Sequence, residues 1–120
     1  MRTTHTLAGL FVASFMLAGP ALAQNAPTGA ATAPESAALA LVDKHGCFTC
    51  HAIDRKVIGP GWKDVADKYR DIPGAEDLLV NKVSKGGMGV WGKEMVMPPF
   101  GTHVAEPDIR TLVRFVLSLK

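Results

Sequence analysis

Apolar residues recur at helical spacing in four separate stretches of the chain. Over residues 36–44, Ala38, Leu41 and Val42 fall on one stripe, and Gly46 follows as a stop signal. Residues 62–70 take up the pattern again with Val65, Ala66 and Tyr69, until Pro73-Gly74 breaks it. Residues 75–85 carry Leu78, Leu79 and Val83, with Glu76 and Asp77 at the start and Lys82 and Lys85 at the end. That charge order suits a helix dipole, and Gly86-Gly87 ends the run. Residues 107–119 place Ile109, Leu112, Val113, Val116 and Leu117 at helical intervals behind Pro107, a residue suited to a first turn. No stretch alternates as a strand would, and nothing repeats. The pattern predicts an all-α fold of four to five short helices. Residues 86–105, rich in Gly, Pro and Met, form a long loop for so small a unit, and such loops usually carry function.

The first apolar stretch has a different meaning. Arg2 precedes an apolar run over residues 7–17, then come Gly19 and Pro20, then Ala21-Leu22-Ala23, the order of a secretory signal with a small-residue cleavage site. The run is shorter than the roughly 17–25 residues a spanning helix needs, so the mature chain is expected to lack a membrane span. Residues 1–23 are therefore read as a signal peptide. Residues 24–34, made of Ala, Pro, Thr, Gly, Asn and Gln, read as a flexible tail, and residues 35–120 as the folding domain. No cysteine follows the signal to accept a lipid.

Composition narrows the classes without naming one. At 120 residues, 48% apolar and 20% charged, the chain is an ordinary globular protein of one domain. Thirteen Lys and Arg against eleven Asp and Glu leave a charge of +2 and no basic run, so nucleic acid is not expected as a partner. A domain this small buries too little surface to be comfortable alone. A Cys47–Cys50 disulfide would close too short a loop to help much.

The cysteines belong instead to Cys47-Phe48-Thr49-Cys50-His51, the spacing of c-type haem attachment. Two thiols so placed can add to the two vinyl groups on one porphyrin edge, and the adjacent imidazole then lies beneath the iron. A thioredoxin-like pair or half of a zinc site would need a strand-rich context or a second ligand pair, and neither is present. The sixth iron position falls to the long loop. Met97 precedes Pro98 and Pro99, whose fixed backbone angles hold the preceding residue extended, and it is the expected distal ligand. The alternatives are Met95 and Met88 in the same loop, His103 as an imidazole rival, and a Met97 that merely fills core space. His45, two residues before Cys47, reads as a helix-end residue.

Together with these motifs, Ile58-Gly59-Pro60, Gly89-Val90-Trp91-Gly92, Met97-Pro98-Pro99 and the apolar closing helix resemble the short bacterial monohaem class I cytochromes c, soluble carriers of the periplasm. The resemblance covers residues 41–120. It implies the class I cytochrome c fold, first and last helices crossing, around one covalently bound haem c. It also implies that the Pro60 carbonyl accepts the Nδ1 proton of His51, that Trp91 donates to a haem propionate, and that Lys82 lies near a propionate as a counter-charge. Two departures stand out. Residues 93–96 make the segment before Met97 one residue longer than the family's usual spacing, and Phe100 stands where the family often has an Asn able to bond the ligand sulfur. Trp62 reads as a packing residue.

With His51 on one side and Met97 on the other, the iron keeps no open position, so one-electron transfer rather than catalysis is the expected function. The partners would be periplasmic redox proteins that dock briefly on the monomer. The expected docking face is Val57, Ile58, Met88, Pro98 and Pro99, ringed by Arg55, Lys56, Lys85 and Lys93. The alternative is a dedicated haem c subunit of a periplasmic dehydrogenase or reductase. A haem enzyme or gas sensor would instead show a five-coordinate iron that binds CO.

Overall fold

In a computed structural model of the chain the described residues are 31–120. The expected signal peptide over 1–23 and residues 24–30 of the expected tail lie outside them.

Four α-helices form among the described residues: α1 (Ala33–His45), α2 (Trp62–Tyr69), α3 (Ala75–Lys85) and α4 (Glu106–Ser118), with one 3-10 turn at Cys47–Thr49. α3 has the bounds read from the sequence, because Gly74 and Gly86 flank it in conformations that no helix continues. α1 starts three residues earlier than expected and takes Ala33 and Pro34 from the stretch read as tail. The Thr32 hydroxyl caps it by accepting the Glu35 N–H at 3.4 Å, and Pro34 in the first turn has no N–H to leave unpaired. Gly46 stops α1 at φ 67° and returns its N–H to the last turn, which turns the chain into the cysteine segment.

α4 is the spine. It packs against each of the other three helices, and its apolar stripe serves two clusters. Ile109 and Val113 face Tyr69, Ala75, Leu79, Val80 and Val104. Leu112, Phe115 and Val116 face Ala38 and Val42 of α1 and Trp62 of α2. Ile109 and Val42 are wholly removed from solvent. On the outer surface Arg110 reaches Glu76 at 2.8 Å, Asp77 at 2.8 Å and Glu106 at 2.9 Å, and Arg114 reaches Glu76 at 3.0 Å, clasping α3 to α4.

The expectation of no strand needs correction. Within the long loop, β1 (Gly87–Met88) pairs antiparallel with β2 (Val96–Met97), Gly87 opposite Met97 and Met88 opposite Val96. Two residues per strand are too few to show alternation. The pairing depends on Gly86 at φ 73°, where a Cβ would stand 2.5 Å from the Met97 carbonyl oxygen. Beyond the ladder, the Phe100 and Gly101 N–H groups donate to the Val83 and Ser84 carbonyls at 3.0 Å each. These are last-turn carbonyls of α3, which lack helical partners and here anchor the Met-Pro-Pro segment.

Candidate functional site

The cysteine segment is a tight turn made by its own backbone. The Thr49 N–H donates to Gly46 at 3.1 Å, and the Cys50 and His51 N–H groups donate to the Cys47 carbonyl at 3.2 and 3.1 Å. Both thiols are free and half-buried, and both line one cavity. Burial pushes the Cys47 thiol above its ordinary value, partly offset by a backbone hydrogen bond, and Cys50 adds to the rise. Among the described residues no three His, Cys, Asp or Glu side chains gather as a metal cluster.

His51 is held from three directions. Its Nδ1 lies 2.9 Å from the Pro60 carbonyl oxygen, and since that oxygen can only accept, Nδ1 carries the proton and Nε2 keeps its lone pair. The ring rests on the backbone of Gly59, where a Cβ would come within 2.5 Å of Cε1. Trp62 stacks on the ring with centroids 5.9 Å apart and in turn meets Phe48 at 5.1 Å and Phe115 of α4 edge-on at 6.1 Å. The loop returning to α2 is pinned by Gly59 N–H to Cys50 O at 2.7 Å and by Trp62 N–H to Ala52 O at 2.9 Å.

The opposite part of the cavity comes from the long loop and the helices beneath it. Met97 is half-buried in its wall, as are Met95 and Trp91, while Met88 reaches the cavity's edge and remains 66% exposed. Lys82 also lines the cavity and lies across β1, close enough that a Cβ on Gly87 would sit 2.8 Å from its Nζ. The Lys68 Nζ lies 5.6 Å from the centre of the Trp91 ring, tying α2 to the loop. Phe100 lines the cavity and packs on the α3–α4 cluster, and its ring offers no hydrogen bond to a sulfur. His103 is exposed, with Nδ1 2.8 Å from the Thr102 hydroxyl, and does not line the cavity. His45, the last residue of α1, lies in the wall with its Nε2 buried and without a partner.

The cavity encloses about 1360 Å³, its open mouth included, with walls that are mainly apolar. A flat apolar macrocycle with a charged edge fits these walls: two thiols and an imidazole on one turn, a thioether from the long loop, and a Lys and a Trp in the same lining.

Sequence reasoning missed the roles of Gly59 and Trp62. Gly59 stands inside a motif it singled out, yet only the fold brings the His51 ring onto it. Trp62 was read as packing without its stack on His51. The contact of Lys68 with Trp91 joins two distant segments and left no local signal.

Comparison with known proteins places the chain. Residues 35–120 match the family model described as Cytochrome c. Cytochrome c-551 of Allochromatium vinosum is 45% identical over 93 residues, 77% of this chain and 97% of that protein. Cytochrome c-551 of Pseudomonas aeruginosa is 44% identical over 80 residues, 67% of this chain and 74% of that one. The crystal structure of Nitrosomonas europaea cytochrome c552 superposes with a TM-score of 0.64 at 39% identity, covering 68% of this chain and 99% of that chain. A class 1 cytochrome from Sideroxydans lithotrophicus superposes at 0.60 with 32% identity, covering 70% of this chain and 94% of that one.

Proposed function

This chain belongs to the cytochrome c family, in its small class I monohaem group, and from that premise we propose that it is an exported one-electron carrier of the periplasm. Family membership implies a single haem c attached through cysteines, and Cys47 and Cys50 are the pair available for it. When bound, the haem supplies an iron that changes between Fe(III) and Fe(II).

The residues divide the remaining work. Cys47 and Cys50 fasten the macrocycle. His51, fixed in one tautomer by Pro60 and in one orientation by Gly59 and Trp62, presents Nε2 as the proximal ligand. Met97, held by the ladder to Gly87, presents a thioether as the distal ligand, which raises the potential relative to two imidazoles. Trp91 and Lys82 serve the propionate edge, the first as a donor and the second as a counter-charge. Two ligands from the chain leave no position for a substrate, so the protein is a carrier and not an enzyme. The hydrogen bond from His51 to Pro60 supports this reading most, because with Nδ1 engaged by that carbonyl Nε2 is the ring nitrogen left to meet a metal inside an apolar cavity.

The proposed partner face keeps the residues named from sequence. Val57, Ile58, Met88, Pro98 and Pro99 are exposed, with Ile58 58% open to solvent, and Arg55, Lys56, Lys85 and Lys93 are exposed as well. An apolar patch with a cationic rim suits brief docking of a monomer with a periplasmic redox protein. No helix among the described residues is long and apolar enough to cross a membrane.

Redox titration of the matured protein tests the function. The expected result is one haem per chain, a single one-electron wave, and a ferrous form closed to CO at neutral pH. Ready CO binding by the wild type would replace the carrier with a sensor or an enzyme.

A further inference from the structure

Two methionines flank Val96 at the start of β2. Met95, Val96 and Met97 all line the cavity, but Val96 is 56% exposed whereas Met95 and Met97 are both half-buried. Met97 lies in β2 and Met95 just before it, so the two thioethers are offered to one cavity from positions roughly 6.5 Å apart along the backbone. Both positions are anchored. Met97 is paired to Gly87 in the ladder, and the Met95 N–H donates to the Gly92 carbonyl at 3.1 Å, closing the turn before β2. Met88, the third methionine of the loop, sits on the opposite strand and is mostly in solvent.

From this arrangement we infer that Met95 is a reserve distal ligand, which takes the sixth iron position when Met97 cannot hold it. The inference rests on the reading of Met97 as the resident ligand. The exchange breaks one iron–sulfur bond and forms another, with no electron or proton moved. A thioether suits the role: it is neutral at every pH, needs no deprotonation to bind, and sits on an unbranched side chain with three rotatable bonds. The ladder that positions Met97 has only two residues per strand, so little structure opposes the small shift required. A soft sulfur ligand in either case keeps the iron six-coordinate and closed to small gases.

The test compares matured wild type, Met97→Leu, Met95→Leu and the double variant, reading the weak far-red sulfur-to-iron band of the oxidised form. Leucine keeps the volume and removes the ligand. Met95→Leu is expected to retain the wild-type band, Met97→Leu to retain roughly half or more of it, and the double variant to lose it. A Met97→Leu spectrum as bare as that of the double variant overturns the reserve role and leaves Met97 as sole ligand. A wild type without the band, or one whose band disappears in Met95→Leu alone, overturns the Met97 reading and the reserve role with it. Should Met97→Leu fail to mature, the ferrous wild type gives an independent answer with methyl-labelled methionine, assigned through Met95→Leu. The Met95 methyl is expected upfield under the haem ring current. A position like that of exposed Met88 overturns the proposal.

Discussion

The two walls of the cavity are built by opposite means. The turn carrying Cys47, Cys50 and His51 is assembled from contacts with near neighbours: backbone bonds within five residues, the Pro60 carbonyl nine residues on, and the Trp62 ring. The wall carrying Met95, Met97 and Trp91 has almost no local order and borrows its shape. It hangs on a two-residue ladder, on the carbonyl ends of α3, and on Lys68 reaching from α2. The side proposed to attach and ligate the haem is fixed by short-range geometry, and the side proposed to supply the thioether is fixed by the completed fold. The difference means that the distal wall can be opened while the proximal wall stays intact, but not the reverse.

The largest effect removes what both walls rest on. Ile109→Ala empties a fully buried position on α4 and should cost about 2–5 kcal/mol, read as a lowered denaturant midpoint at unchanged m-value. Both walls should fail together in that variant. Next comes a pair that separates them. Gly59→Ala drives a Cβ to 2.5 Å from the His51 ring, and Gly86→Ala drives one to 2.5 Å from the Met97 carbonyl at φ 73°. Each should cost about 1–3 kcal/mol. Gly59→Ala should lower the yield of haem-loaded protein by disturbing His51. Gly86→Ala, which displaces the backbone of the segment carrying both Met95 and Met97, should mature normally but weaken the far-red band and admit CO. Equal CO binding by the two variants would erase the distinction between the walls.

The smallest effect concerns acid. Hydrogen bonds from Arg114 and Arg110 hold the Glu76 carboxyl below its ordinary value. A carboxylate depressed in the folded state contributes stability above the ordinary carboxylate range and loses it as pH falls through the lowered value. Because the pair is near the surface, the contribution is modest. Glu76→Gln should flatten the loss of stability on acidification, read by urea melts across pH, and in the wild type the α3-supported distal wall should loosen before the cysteine turn does.

The same contrast explains what could be read from the chain. Helical periodicity located all four helices, because each spans at least two turns and ends at Gly or Pro or begins near them. The start of α1 escaped because Pro34 looks the same in a tail and in a first turn, and only the Thr32 cap tells them apart. The ladder escaped because a strand of two residues, one of them Gly87, has no pattern to show. At the site, Cys47, Cys50, His51 and Met97 announce themselves by chemistry and spacing, and the fold sets all four around one cavity. Gly59 beneath the imidazole and Lys68 over Trp91 are consequences of tertiary packing, which carries no mark in either segment alone.

X-ray absorption at the iron edge of the oxidised, matured protein tests the central claim most directly, that one axial ligand comes from each wall. The account predicts a single sulfur neighbour beside the nitrogens of the porphyrin and of His51. A shell of nitrogen alone, or one with an axial position left open, would contradict it.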